Sequence, residues 1–247
     1  MSGDLIDTTE MYLKTVFELE EAGIAPMRAR IAERIGHSGP TVSQTVGRME
    51  RDGLLHLDDE RRIHLSEQGA AIATGVMRKH RLAERHLLDT IGLEYALVHE
   101  EACRWEHVMS IEVERRIAGL LVAPYNDPFG NPIPGLEELG ITVPDGAVAP
   151  AAALMPLAQL TDGLDDGGAS VETRLERLGE RVQSDVDLLA ELDDQAIRAG
   201  VRVRGSRIGR MLHLVALDEG GSDAGSGGSI VPEDVAAHLL VPASHAG

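Results

Sequence analysis

Apolar residues return every three or four positions in three successive stretches at the start of the chain, and then form two short runs around a polar tip. The first spacing is typical of amphipathic helices, and the second arrangement is typical of a β-hairpin. Asp7 with Glu10 three positions later is typical of a capping box, and Ser38 is a suitable N-cap for the third helix. The pattern predicts three helices and a hairpin, over residues 7–22, 27–35, 38–52, 54–57 and 63–65. This is the order of a winged helix-turn-helix.

The middle of the chain continues with a helical period and then loses it. The predicted elements are a long helix, a helical pair, a Pro/Gly-rich loop and a linker rich in Pro, Gly and Ala, over residues 66–91, 95–122, 124–135 and 142–153. Because Pro and Gly interrupt regular structure, the loop and the linker separate the helical region from the rest of the chain.

The C-terminal part has a different pattern. Short β-like runs at 201–203 and 212–215 accompany one predicted helical piece at 175–191. A Gly/Ser/Asp-rich stretch at 220–229 is typical of a flexible loop. We therefore expect residues 154–242 to form a separate small domain, either α+β or a β-barrel.

Composition adds the expected compartment. The chain has 247 residues, of which 43% are hydrophobic and 26% charged, as in ordinary globular proteins. Its single cysteine, Cys103, excludes a disulfide framework within the chain, and its acidic start lacks the basic-then-apolar order of a signal peptide. Since no apolar run approaches the length of a membrane span, we expect a cytoplasmic protein with no membrane partner.

Charge changes the picture at one place. The net charge of −18 argues against nucleic-acid binding, because phosphate contacts need positive charge. Between Pro26 and Arg51, however, the chain has five arginines and only two glutamates, which gives this segment a net charge of +3. A solvated helical hairpin with ordinary surface arginines would have the same composition. The local sign nevertheless fits the electrostatic footprint of a DNA-binding element.

The pattern of the third helix favours DNA binding over a helical hairpin with ordinary surface arginines. Its early face is small or polar, whereas Val42, Val46 and Met49 supply a side to bury. A recognition helix reads base edges from its N-terminal part; Gln44 can pair with adenine, and Pro40 can contact thymine methyl groups. The residues that we expect to contact DNA are Arg28, Ser38, Pro40, Thr41, Ser43, Gln44, Arg48 and Arg51.

Two predicted helices carry potential metal ligands. On the first, two such residues are four positions apart; on the second, four fall at i, i+4, i+7 and i+8, close to one face. These residues are His80 and Glu84, and then His99, Cys103, Glu106 and His107. A lone His or Cys on a helix is ordinarily packed or solvated, but here two such faces follow one another. A set that mixes thiolate, imidazole and carboxylate suits mid-row transition metals better than calcium or magnesium.

Five stretches together indicate a family. They lie at 7–13, 38–46, 76–85, 101–109 and 127–135 and read DTTEMYL, SGPTVSQTV, VMRKHRLAER, EACRWEHVM and DPFGNPIPG. In these stretches the chain resembles the diphtheria-toxin-repressor family, and in particular its actinobacterial iron-dependent regulators. The resemblance is dense over residues 4–140 and falls off beyond them.

The resemblance implies a mainly α protein of three domains that forms a homodimer on double-stranded operator DNA. Residues 1–74 would form the winged helix-turn-helix domain, 75–141 a helical dimerisation and metal-binding domain, 142–153 a linker, and 154–247 a small C-terminal SH3-like β domain. Whether one or two dimers bind each operator stays open.

It also implies two Fe²⁺ sites per subunit. The regulatory site would consist of Met11, Cys103, Glu106 and His107. The ancillary site would consist of His80, Glu84, His99, Glu180 and Gln183, of which the last pair matches the Glu-x-x-Gln spacing of the family. Because such a site also binds other divalent ions, Co²⁺, Ni²⁺, Zn²⁺ or Mn²⁺ are expected to replace iron in vitro.

The sequence thus predicts an iron(II)-activated repressor of iron-homeostasis genes. One alternative is a manganese-responsive regulator of the same family, although relatives of that type usually lack the third domain and the Met/Cys ligand pair. Another is a metallohydrolase that uses the His/Glu/Cys cluster. Against an enzyme, no nucleophile or general base stands apart from the ligands.

Overall fold

The computed structural model describes residues 7–144, 154–164, 168–225 and 227–243. Contacts along the chain divide it into two compact units. The N-terminal unit comprises Met1–Ala83, Ala102–Leu120 and Ile133–Thr142. The C-terminal unit comprises Glu84–Glu101, Leu121–Pro132 and Val143–Gly247.

The N-terminal unit begins with the predicted winged helix-turn-helix. Its elements are α1 (Thr8–Glu21), α2 (Arg28–Ile35), α3 (Gly39–Arg51), β1 (Leu55–Leu57) and β2 (Ile63–Leu65). The Asp7 side chain caps α1 by accepting from the backbone N–H groups of Thr9 and Glu10, and Gly36 ends α2 with φ of 72°. The strands pair antiparallel. The helices and hairpin predicted for this region are confirmed within one or two residues at each end.

One hydrophobic core holds these elements together. Leu13 and Val16 of α1 meet Val42 and Val46 of α3 there, and all four side chains are fully buried. Burying an aliphatic side chain of this size stabilises the folded state by roughly 1.5–3 kcal/mol. The apolar side of α3 therefore holds this helix in the core. Its opposite side is left to solvent.

Helices fill the middle of the chain. They are α4 (Glu67–His86), which continues into a π-helical turn (Leu87–Ile91), a 3₁₀ turn (Tyr95–Leu97), α5 (Val98–Trp105), α6 (Ile111–Ala118) and a second 3₁₀ turn (Leu136–Leu139). Gly92, with φ of 75°, ends the π-helical turn. The Ser110 side chain accepts from the N–H of Val113 and caps α6. The two helices predicted over 95–122 are therefore α5 and α6, which a short turn after Trp105 separates.

The C-terminal unit contains two antiparallel sheets. A four-stranded sheet has the order β4 (Ser170–Arg174), β6 (Arg202–Ile208), β7 (Met211–Leu217) and β8 (Ser229–Pro232). A three-stranded sheet has the order β3 (Leu154–Pro156), β9 (Leu239–Pro242) and β5 (Arg177–Leu178). The described residues after Leu154 also form four helices: α7 (Leu157–Leu160), α8 (Glu180–Gln183), α9 (Val186–Asp194) and α10 (Glu233–Ala236). The expected small β domain is present.

The helix predicted over 175–191 is wrong. A strand, β5, and two helices, α8 and α9, occupy this segment. Its buried leucines and valine are spaced by three, four and seven residues, which is also the spacing of one face of a single helix; they are Leu175, Leu178, Val182 and Leu189. Gly179 interrupts that helix, because its N–H donates to the carbonyl of His238 at 2.7 Å and a Cβ there would lie 3.2 Å from that oxygen. Asp185 then caps α9.

Two other predicted segments are only partly described. Residues 142–144 of the predicted linker have no regular structure, and 145–153 lie outside the described residues. The loop predicted at 220–229 ends earlier, because Ser229 already opens β8. Within the described ranges, none of the helices is both long and apolar enough to cross a bilayer.

Candidate metal centre and nucleic-acid interface

Helix α3 exposes to solvent the residues that are predicted to contact DNA. Val42, Val46 and Met49 are fully buried on its inner side. The predicted DNA contacts on the outer side are all exposed: Ser38, Pro40, Thr41, Ser43, Gln44, Arg48 and Arg51. An amphipathic helix with a polar, exposed N-terminal half has the form that reading base edges requires.

The start of α3 is fixed by its own side chains. The Ser38 hydroxyl accepts from the N–H of Thr41 and lies 2.8 Å from the Thr41 hydroxyl. Pro40 occupies the first turn, where its missing N–H is not needed. Arg28 departs from the other predicted contacts, because it is half-buried on α2 and its Nε atom is buried without a hydrogen-bond partner among the described residues.

Three of the four predicted regulatory residues lie where α5 ends. Cys103 is on the last turn of α5, whereas Glu106 and His107 follow it in the turn that leads to α6. The single helix face predicted for these three residues therefore ends at Trp105. A bond from the N–H of Glu106 to the carbonyl of Ala102, at 3.0 Å, keeps Glu106 close to the helical path.

The carboxylate of Glu106 is the most buried charge of this group. Its Oε2 atom accepts from Lys14 Nζ at 2.8 Å and lies 2.6 Å from His80 Nδ1. Burial alone would raise the pKa of Glu106, but the neighbouring Lys14 and His80 outweigh it and lower this pKa to about 2. Glu106 is therefore ionised across the physiological range.

His107 links this turn to the beginning of α1. Its Nδ1 atom lies 2.8 Å from Glu10 Oε2, and its Nε2 atom lies 3.3 Å from Glu106 Oε1. Met11 follows Glu10 in the first turn of α1 and is half-buried. The structure thus brings the helix that carries Met11 against His107 within the N-terminal unit.

The pattern of the sequence does not identify two residues of this group. Glu10 was interpreted as the second half of a capping box, but its side chain contacts His107. Lys14 was not singled out at all, yet it is buried and contacts both Glu106 and Cys103. A lysine on the side of α1 that also carries buried Leu13 is the one sequence signal that could have found it.

The predicted ancillary residues are divided between the two units. His80 belongs to the N-terminal unit, where it contacts Glu106. The other four belong to the C-terminal unit: Glu84, His99, Glu180 and Gln183. The single ancillary site that the resemblance implies for all five residues stays a prediction.

An imidazole between two carboxylates forms the group in the C-terminal unit. His99 Nδ1 lies 3.0 Å from Glu84 Oε1, and His99 Nε2 lies 3.1 Å from Glu180 Oε1. Both His99 and Glu84 are buried. A neutral imidazole has one N–H donor and one bare nitrogen, so it can donate to only one of two ionised carboxylates.

Gln183 lies three residues after Glu180, on the short helix α8. Its Nε2 atom donates to the carbonyl of Leu178 at 2.6 Å, which fixes the amide and identifies Oε1 as the atom able to bind a metal. The predicted Glu-x-x-Gln pair is therefore placed on one short helix whose first residue contacts His99.

Comparison with known proteins decides the family. Residues 4–63 match the model described as "Iron dependent repressor, N-terminal DNA binding domain", and residues 66–135 match "Iron dependent repressor, metal binding and dimerisation domain". The chain belongs to the iron-dependent repressor family. This membership confirms the predicted fold class and the prediction of a DNA-binding, metal-dependent repressor that acts as a homodimer.

Curated relatives agree with this assignment. This family member is 54% identical over 200 residues to the "Iron-dependent repressor IdeR" of Mycobacterium tuberculosis, with 81% of this chain and 84% of that protein covered. It is 52% identical over 200 residues to the "Diphtheria toxin repressor" of Corynebacterium diphtheriae, with the same coverage.

The fold also resembles that of solved structures. A "Manganese-dependent transcriptional repressor complex with manganese" superposes with a TM-score of 0.74 at 25% identity, covering 95% of this chain and 99% of that one. The "Crystal structure of T. acidophilum IdeR" superposes with a TM-score of 0.68 at 22% identity, covering 96% and 98%, which shows the fold alone.

Proposed function

We propose that this chain is an iron(II)-activated repressor of iron-homeostasis genes, with two Fe²⁺ ions per subunit, acting in the cytoplasm. The observation that supports it best is the contact of His107 with Glu10 in the first turn of α1, in the same compact unit that exposes the DNA-facing side of α3. A thiolate, a carboxylate and an imidazole in one buried cluster fit a mid-row transition metal.

The regulatory ion would be held by Met11, Cys103, Glu106 and His107. A divalent ion supplies a strong local charge to which these soft and hard donors bind together. One donor comes from the last turn of α5, two come from the turn after it and one comes from α1, so their joint ligation would hold α1 in place. Since α1 shares its core with α3, fixing α1 favours the DNA-competent arrangement of the winged helix.

The second copy would pair through an exposed apolar face around α6. Large apolar side chains that are 44–63% exposed gather there, which is uncommon on a surface without a partner: Val108, Ile111, Val113 and Leu120. Buried Arg78 binds Glu114 of α6 and the carbonyl of Gly135, and thereby holds this helix against α4. Two winged helices fixed in this way would reach two half-sites together.

The ancillary ion would be held by Glu84, His99, Glu180 and Gln183, with His80 as the fifth predicted ligand. The contacts of His99 with two carboxylates support this assignment for the C-terminal members. The contact of His80 with Glu106 leaves its membership to be tested by mutation.

A DNA-binding titration under anaerobic conditions tests the proposed function. Duplexes selected by the protein from a random pool with Fe(II) are compared with scrambled duplexes, using Fe(II), Mn(II) or chelator. We expect tight, selective binding with Fe(II) at concentrations where Mn(II) gives little. Equal or stronger activation by Mn(II) would support the manganese-responsive alternative, which the manganese repressor of similar fold favours. Sedimentation of the same complexes counts one dimer or two per operator.

A further inference from the structure

A lysine ammonium lies among the predicted metal ligands of the N-terminal unit. Lys14 Nζ is 2.8 Å from Glu106 Oε2, 3.3 Å from His80 Nδ1 and 3.7 Å from Cys103 Sγ. The side chain of Lys14 is 8% exposed. Lysine is among the residues least often buried, because removing its charge from water is costly unless anions surround it. A buried lysine at this place therefore has a specific electrostatic role.

The ammonium and a metal ion would need the same atoms. Two of the predicted regulatory ligands, Cys103 and Glu106, contact Lys14 directly. A transition metal bonded to Glu106 Oε2 would lie about 2.1 Å from that oxygen, and so within about 5 Å of an ammonium placed as here. Two cations this close, inside a buried cluster, repel each other strongly.

Lys14 has a second carboxylate within reach. Glu18 lies one turn further along α1, and its Oε1 atom is 3.7 Å from Lys14 Nζ. Glu18 is buried as well. A lysine side chain has four rotatable bonds, so its ammonium can leave Glu106 for Glu18 without any change in the backbone of α1.

We propose that Lys14 is a built-in competitor of the regulatory metal ion. Its ammonium neutralises Glu106 and contacts Cys103 until a divalent ion displaces it toward Glu18. The charge at position 14 thereby sets the metal concentration at which the repressor becomes active. This inference rests on the proposed regulatory site at Cys103 and Glu106.

Cobalt titration of the full-length protein tests the competition. Because Cys103 is the chain's single cysteine, a thiolate-to-cobalt charge-transfer absorption reports binding at this site alone. The variant Lys14→Met removes the charge at similar length, and Lys14→Arg keeps it. A double variant, Lys14→Met with Glu18→Gln, removes one positive and one negative charge and guards against unfolding caused by unpaired buried carboxylates.

The expected result is a Co(II) dissociation constant at least 10-fold lower in Lys14→Met and in the double variant than in the wild type. Lys14→Arg should stay within about 3-fold of the wild type. The melting temperature without metal should fall in Lys14→Met, while the rise on adding Co(II) should become larger, because the ion now supplies the missing positive charge.

Two failures can be told apart. If the wild type shows no charge-transfer absorption with Co(II), the proposed regulatory site is wrong. If the wild type shows it but the two variants without the charge bind Co(II) no more tightly, the site stands and Lys14 is a structural ion-pair partner only.

Discussion

In the N-terminal unit a carboxylate, Glu106, lies between an ammonium and an imidazole, whereas in the C-terminal unit an imidazole, His99, lies between two carboxylates. The central residue is buried in both groups, and each group contains carboxylate and imidazole donors of the kind that transition metals prefer. They differ in the sign of the charge that the protein itself contributes. Lys14 supplies the positive charge in the first group, while Glu84 and Glu180 supply negative charge in the second.

This difference bears on how each group would take up a divalent ion. A buried carboxylate that already has a cationic partner gains less from a metal ion, because the partner must first be displaced. An imidazole flanked by two carboxylates gains more, because a divalent ion neutralises both. We therefore expect the C-terminal group to bind metal at lower concentration and the N-terminal group to respond at higher concentration, as a sensor must.

The largest effect is expected from removing the thiol. Cys103→Ala should fold normally but bind operator at least about 100-fold more weakly than the wild type at metal levels that activate the latter, a difference of about 3 kcal/mol. Fluorescence anisotropy with a labelled operator measures it, and circular dichroism controls for folding. Activation of this variant at wild-type metal levels would mean that the two groups do not differ in their regulatory role.

Acid should remove the contribution that the Glu106 carboxylate makes to the free energy of unfolding. The pKa of Glu106 is lowered from 4.5 to about 2 in the folded protein, so its stabilising effect is complete above pH 4.5 and is lost as the pH falls from 4.5 towards 2. The loss should be on the order of 3 kcal/mol. Urea unfolding with chelator at pH 5 and pH 3 measures the part lost in this interval, about 2 kcal/mol, because the folded-state carboxyl is still mostly ionised at pH 3. In Glu106→Gln the drop between these pH values should be smaller by about 2 kcal/mol, and equal drops would contradict the electrostatic account.

Neither the group around Glu106 nor the group around His99 is expected to determine the DNA sequence specificity. Gln44→Ala should lower the ratio of operator to scrambled-duplex affinity by roughly 10-fold, since a good base contact contributes about 1–3 kcal/mol of discrimination. Arg48→Ala is the matched control on the same exposed face; it should weaken both duplexes alike and flatten the salt dependence. An unchanged ratio in Gln44→Ala would show that α3 does not read bases as proposed.

The smallest effect on DNA binding is expected from the C-terminal group. Glu180→Ala with Gln183→Ala should remove one metal equivalent per subunit and weaken operator binding only a few-fold, about 1 kcal/mol. Arg181→Ala is the control on the same short helix, where the arginine pairs with Asp234 at the surface. Elemental analysis of dialysed protein decides the point: a metal count equal to that of the control means that α8 contributes no ligands.

The sequence was most informative where local chemistry decides structure. Asp7 and Ser38 cap the helices for which they were predicted, and Val42, Val46 and Met49 are buried as their spacing indicates. These features depend on neighbours within four residues, so a pattern along the chain can show them. The candidate ligands were found in the same way, from spacing and from the family resemblance.

Contacts between distant residues could not be predicted in this way. Lys14 meets Glu106 across 92 positions, and Glu10 meets His107 across 97. Nothing in the spacing of α1 indicates that a lysine on its buried side faces a carboxylate. The same limit explains the wrong helix before α9, because the strand β5 exists only through its pairing with β9.

These long separations have a consequence for the order in which the molecule is made. The core that fixes α3 is complete by Ala73, whereas the partners of Glu10 and Lys14 lie at positions 106 and 107. A chain leaving the ribosome from its N-terminus can therefore fold the winged helix while Cys103, Glu106 and His107 are still inside the exit tunnel. At that stage the chain would have a surface for DNA but would not yet have exposed the residues proposed to hold the regulatory metal ion.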